Sequence, residues 1–517
     1  MTNEKQENFY DLVITGGGIT GAGIVREAIR MGIRVLLVEK NDFAWGTSSK
    51  SSKLVHGGLR YLKEGRIHLT WESVREREKL ISQAPGLVDP IDFTMPIISG
   101  RGPGRAAMTA GLSLYDLMAG QVAHTYHKKD IFSGMVPHMS TQNLKGGFRF
   151  MDAQTDDARL VQRLINEAVD EGAEALNYTA VTEIKRNANG SVTGVVLEDS
   201  ETGDQRNINC SAVINATGSW AESLHSSPKK GLHLRPLRGS HIVIPIQRLP
   251  ISQAITLMHP DDHRPLFVIP WEGAIILGTT DIDHGSDISK EAVMSKQEGE
   301  YMMGSLNAYF PSAQLKLSDC ISSFAGIRPV LSKGDLDPSK ESREHVVWID
   351  KGLVTVTGGK MTTFRVLALD ALKAARPWLP SGAGIQTKLP AFNPAPPKPH
   401  ASSHLLSGII RRLYGRYGLR AGGLIDKAEP KDLTLIPGSM TLWAELPVLA
   451  KTEQVRHLSD LLLRRVRAGL ILPNGGSDCL DRVQALCEPH LSWDTEKWKT
   501  ERQEYIDHWQ WAHRPVR

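Results

Sequence analysis

The sequence predicts an α/β protein in which a Rossmann-like dinucleotide-binding domain is interleaved with an antiparallel-sheet domain and followed by an all-helical C-terminal domain. Three observations predict it. A strand, a glycine turn, a helix and a second strand succeed one another within residues 10–39. Alternating helical and strand patterns then surround a β-rich stretch in the middle of the chain, the mark of a parallel sheet joined to an antiparallel one. Beyond a Pro-, Gly-, Ser- and Ala-rich stretch at 381–403, every periodic segment is helical.

Residues 10–15 (YDLVIT) read as a buried strand, 20–31 as a helix and 33–39 (IRVLLVE) as a second strand, a βαβ unit. The turn between the first two fits G-x-G-x-x-G as Gly16, Gly18 and Gly21. Gly16 permits the tight turn, Gly18 lets the backbone approach a pyrophosphate, and Gly21 lets helix and strand pack closely. The helix N-terminus presents free N–H groups and the positive end of its dipole to the phosphates. Glu39 ends the second strand at the spacing that suits a carboxylate bonded to a ribose hydroxyl. NAD and FAD both use this arrangement, so the turn alone gives only a dinucleotide.

Further strands are expected at 192–197, 211–217, 241–246, 266–270, 274–280 and 353–358, and helices at 156–171, 290–309 and 361–375. The strand at 211–217 ends in Ala216-Thr217-Gly218, small enough for the chain to pass beside a bound dinucleotide. Residues 46–62 (GTSSKSSKLVHGGLRYL) combine small hydroxyl residues, cations and a Gly-Gly pair. Such hydroxyls and backbone N–H groups bond a pyrophosphate or the edge of a flavin ring. The domain boundaries are placed at 1–385 for the dinucleotide and β-rich part, 386–400 for a linker, and 401–517 for a C-terminal part with helices at 402–416, 441–449, 451–470 and 476–489.

A chain of 517 residues exceeds one compact core. The net charge of +4 suits an anionic substrate or an acidic membrane surface and does not argue for nucleic acid. The cysteines, Cys210, Cys320, Cys479 and Cys487, form no metal or iron–sulfur spacing, which points to no metal site and to the reducing cytoplasm. The N-terminus has no signal-peptide pattern, and no apolar run reaches the roughly 20 residues of a spanning helix, so any membrane contact is expected to be peripheral. Residues 101–120 and 409–420 interleave arginines with apolar side chains and are the candidate contact segments, with core-facing helices as the equal alternative.

GGGITGAGIVREA, TSSKSSKLVHGGLRYL, RGSHIVIP, GTTDID, AGIRPV and TGGKMTTFR occur in this order, and DLLLRRVRAGL follows at 460–470. Together they resemble the FAD-dependent, aerobic-type glycerol-3-phosphate dehydrogenases, within the D-amino-acid-oxidase-like flavoproteins. The resemblance implies FAD as cofactor and oxidation of sn-glycerol 3-phosphate to dihydroxyacetone phosphate, with electrons passed to quinone at the inner face of the cell membrane. It implies substrate contacts from Arg60, Tyr61 and Arg343, and catalytic roles for His241, Arg328 and Lys360. Which of these three takes the proton stays open; His241 is the candidate because its pKa lies near neutrality. Cofactor contacts are expected from Gly16, Gly18, Gly21, Glu39, Thr47, Ser48, Ser52, Leu54, Gly218, Gly359, Met361 and Thr362. The alternatives are an amine or amino-acid oxidase of the same group, which needs fewer cations, and a flavoprotein used only for binding. A homodimer is left open.

Overall fold

A computed structural model describes residues 9–225, 233–332, 344–395 and 405–515. Strand Phe9–Thr15 lies at the centre of an eight-stranded sheet, parallel to Val35–Val38 on one side and to Gln205–Asn215 on the other. Leu353–Gly358 continues the parallel order beyond Gln205–Asn215. From Leu12 to Ile14 the side chains alternate between the two faces, as a two-residue period requires. Leu12 and Ile14 face a core made with helices Ile19–Ile29, Asp157–Asp170 and Phe364–Ala375, whereas Tyr10 and Val13 face the hairpin Thr179–Arg186/Val192–Asp199. The expected βαβ unit, the strands at 192–197, 211–217 and 353–358, and the helix at 156–171 are all present within a few residues.

The second sheet has ten strands and is mainly antiparallel, with His233–Pro245 between Ser322–Ser332 and Ala274–Gly278. Two of its longest strands, Val88–Ile98 and Leu144–Thr155, were not expected from the sequence. Pro90 and Pro96 hide the first, because proline ordinarily excludes an inner strand position. Here the other neighbour, Ala254–Met258, pairs only at Phe93 and Thr94, so neither proline is asked to donate to that ladder. The helix expected at 290–309 begins later, at Lys296, where Ser295 and Glu298 form a reciprocal capping box.

The C-terminal helices do not build a core alone. Leu413, Trp443, Leu461 and Trp498 pack with Val243, Trp271, Ile276 and Phe324 of the antiparallel sheet. The helix expected across 451–470 is broken. Glu445–Thr452 is α-helical, Asp460–Arg465 forms a π-helical turn, Arg467 adopts φ 63°, and Ala468–Ile471 resumes as a short helix. Buried arginines at 464, 465 and 467 reach carboxylates on the dinucleotide domain, and the backbone departs from α-helical geometry where it delivers them. In the segment expected as a linker, Ala391 and Phe392 are buried, and Arg26 Nε donates to the Ala391 carbonyl (3.2 Å).

Candidate active site

The glycine turn is sterically obligatory. Gly16 has φ 108°, and a Cβ there would lie 2.6 Å from the Ala216 carbonyl oxygen; one on Gly21 would lie 1.8 Å from the Gly16 oxygen. Gly18 caps the helix without a side-chain bond, and the first turn carries no acid. The positive helix end is therefore not neutralised by the protein, which suits a pyrophosphate. Ile19 N–H donates to Ser48 Oγ (2.9 Å), tying loop 46–55 to the helix start. Glu39 accepts from the N–H groups of Gly17 (2.7 Å) and Asn41 (2.9 Å), which hold its carboxylate beside the turn. Burial pushes the Glu39 carboxyl up, and these two bonds oppose the shift.

These residues line one cavity of ≈ 1210 Å³ that runs on between the two sheets. That exceeds the roughly 300–1,000 Å³ of ordinary small-molecule pockets and suits an extended dinucleotide plus a substrate. Of the residues expected at the cofactor, Gly16, Gly18, Glu39, Thr47, Ser48, Ser52, Leu54, Gly218, Gly359, Met361 and Thr362 all line it. Gly21 lies behind, in its packing role. The donor set and the acid-free first turn of the helix fit FAD.

Beyond Leu54–Val55, Gly57 N–H donates to Asp152 (3.1 Å), and Gly58, at φ 80°, opens helix Leu59–Lys63. This places Arg60 and Tyr61 on the cavity wall. Lys360 comes from the opposite side, after Gly358 and Gly359 at φ 81° and 75°. Its Nζ donates to Ser73 Oγ and stands 4.2 Å from the Tyr61 ring centroid. Arg328, on strand Ser322–Ser332, donates to Asp281 Oδ1 (2.9 Å) and Thr279 Oγ1 (2.9 Å). Beside it stands Arg264, which sequence reasoning missed; it shares Asp281 (3.5 Å) and lines the same cavity with His263. The only signal was a His-Arg-Pro loop just before an expected strand. Arg343 lies outside the described residues.

His241 is brought near but not into the cavity. It is 1% exposed and stacked on Phe324 at 4.6 Å, and its Nε2 is 2.8 Å from Ser52 Oγ, which does line the cavity. Burial, with the charges of Arg328 and Lys53, holds the imidazole well below the usual histidine range. At neutral pH the ring is uncharged, and Ser52 is its neighbour on the cavity side.

Residues 11–365 match the family described as FAD dependent oxidoreductase, and residues 395–498 match the C-terminal domain of alpha-glycerophosphate oxidase. The aerobic glycerol-3-phosphate dehydrogenase of Staphylococcus haemolyticus is 34% identical over 490 residues, covering 89% of this chain and 87% of the relative. That of Staphylococcus aureus strain USA300 is 33% identical over 487 residues, covering 88% and 86%. Among solved structures, the Bacillus halodurans glycerol-3-phosphate dehydrogenase complexed with FAD superposes with a TM-score of 0.77 at 27% identity, covering 99% of this chain and 96% of that one. The alpha-glycerophosphate oxidase of Mycoplasma pneumoniae with FAD bound shares the fold, with a TM-score of 0.57 at 18% identity over 75% of this chain and 99% of its own length.

Proposed function

The chain belongs to the FAD dependent oxidoreductase family and, within it, to the aerobic glycerol-3-phosphate dehydrogenases, and on that premise we propose how its own residues oxidise sn-glycerol 3-phosphate to dihydroxyacetone phosphate. The observation that carries the reading is that the cavity starting at the glycine turn ends among Arg60, Arg264, Arg328 and Lys360. Guanidinium forks match phosphate oxygens two at a time, and four cations exceed what a single carboxylate substrate needs. Bound FAD supplies the hydride acceptor for C2.

The C2 hydroxyl must lose its proton as the hydride leaves. Ser52 lines the cavity and its Oγ lies 2.8 Å from His241 Nε2, so with the imidazole proton on Nδ1 the hydroxyl donates to Nε2 and a proton passed to Ser52 is relayed to the ring behind it. Burial is the main reason that His241 is neutral; the Arg328 charge adds to it, and that added part is offset when a phosphate dianion enters, which makes the imidazole a better acceptor with substrate present. Lys360 and Arg328 stabilise negative charge growing on the substrate oxygen. Anaerobic addition of glycerol 3-phosphate should bleach the flavin absorbance. Bleaching by an amine or amino acid instead would overturn the reading in favour of an amine or amino-acid oxidase.

Quinone is proposed as the acceptor and the inner membrane face as the place of work. Among the described residues no helix is long and apolar enough to cross a membrane. Helix Arg105–Ala119 supports a peripheral contact: Ala107, Ala110 and Leu114 line the cavity mouth, and Leu117, 77% exposed, continues that face outward. The division at 385–400 between a catalytic part and a helical part belongs to the same reading. Flotation with anionic vesicles checks the contact; equal flotation of wild type and Leu117→Asp would exclude this helix.

A further inference from the structure

We propose that the C-terminal helical domain is a positioning device for FAD, acting through Arg467 on the carbonyl of Ser49 and through Arg464 and Arg465 on Asp42. The inference rests on the cofactor site alone and not on the identity of the substrate. Arg467 Nη2 donates to Ser49 O (2.6 Å), and its guanidinium lies 3.5 Å from Asp157. Ser49 follows Ser48, whose Oγ holds the Ile19 N–H at the start of the phosphate-facing helix. Asp157 in turn accepts from Ser51 N–H (2.9 Å) and from Lys53 Nζ (2.8 Å), so one carboxylate ties down the rest of the loop.

A second tether reaches the other edge of the turn. Arg464 and Arg465 donate to Asp42 at 2.5 and 2.7 Å. Asp42 is three residues past Glu39, and the neighbouring Ala44 N–H donates to the Gly17 carbonyl (3.0 Å). The C-terminal tail adds a third contact. Lys50, on the cavity wall, pairs with Glu291, which lies 3.2 Å from His508 and 3.5 Å from His513. Among the described residues none of the C-terminal part lines the cavity, yet Arg467 holds its loop directly, Arg464 and Arg465 hold Asp42 beside the turn, and His508 and His513 reach Lys50 through Glu291. The backbone shows the same arrangement: the π-helical turn Asp460–Arg465 and the left-handed Arg467 depart from α-helix at the residues that deliver the cations.

Arg467→Asn tests this, because asparagine tolerates the left-handed backbone while removing the guanidinium. The full-length apoprotein is titrated with FAD and binding is read by quenching of flavin fluorescence. Affinity should fall at least tenfold, with partial recovery in Arg467→Lys. Arg420→Ala, which breaks an exposed C-terminal pair with Asp170, should leave it within twofold. An Arg467→Asn affinity within twofold of wild type would overturn the proposal, as would an equal loss in Arg420→Ala. Should Arg467→Asn not fold, the wild type decides: FAD must slow amide exchange in 460–470 as well as 46–55, because coupling between two sites is reciprocal. Slowing confined to 46–55 would overturn it.

Discussion

Two sets of arginines in this molecule obey opposite accounting. Arg60, Arg264 and Arg328 in the cavity keep 35%, 28% and 21% of their side chains exposed. Arg416, Arg464, Arg465 and Arg467 keep 2%, 6%, 1% and 1%, and meet Asp42, Asp156 or Asp157. A buried cation is tolerable only when a carboxylate and further hydrogen bonds meet it, so the second set is committed to the protein. The first set stands in a wetter place where an incoming anion can join. Residue type alone does not separate catalysis from architecture; the degree of desolvation and the supply of acids do.

The largest expected effect comes from the buried side. Asp42→Asn removes the carboxylate that Arg464 and Arg465 share, leaving them Asp460 and Glu453, and should cost about 3 kcal/mol of stability, the lower end for a broken buried pair, read by denaturant unfolding. A loss below about 1 kcal/mol would place these arginines with ordinary surface pairs. On the cavity side the effect should appear in rate. Arg328→Met should lower kcat/KM for glycerol 3-phosphate by about 10²–10³-fold while FAD is retained, the size expected for a group that meets charge in the transition state. Near-normal turnover would remove Arg328 from the mechanism.

His241 belongs structurally to the buried set, and serves the cavity only through the proposed relay by Ser52. Its folded pKa is depressed, as is that of His513, where burial and the charge of Lys50 hold the ring neutral. No cost arises above the unfolded value of about 6.5. As pH falls below it, the unfolded chain takes up protons the native state refuses, so stability drops by up to about 1.4 kcal/mol per pH unit for each such histidine. Unfolding free energies between pH 7 and 5 check this, and His241→Asn should flatten the slope. The smallest effect is expected at the exposed pair Arg60–Glu64 (3.4 Å): Glu64→Gln should change stability by less than about 1 kcal/mol. It should lower KM without altering kcat if Arg60 meets the phosphate.

The parts legible in the sequence are those whose cause is local. Gly16, Gly18 and Gly21 are demanded by a turn within six residues, and Glu39 by the strand that follows. The cavity residues at 47–61 and 358–362 were read from their motifs. What was not legible depends on partners far along the chain. Nothing near Arg464 announces Asp42, 422 residues away, and a helical period across 451–470 concealed the break that joins them. Arg264 escaped because its meaning comes from Asp281 and Arg328, which only the fold brings beside it. His241 was singled out in the sequence, but only the fold reveals Ser52 standing between it and the cavity.

The bond from Arg467 to Ser49 spans 418 residues. A ribosome adding about 5–20 residues per second takes roughly 20–80 s to travel that distance. The glycine turn has long left the exit tunnel by then, yet its supporting loop still lacks the last hand that holds it. If Arg467 positions the loop as proposed, cofactor loading falls at the end of synthesis, and a chain truncated before the π-helical turn is an incomplete receptor for its flavin.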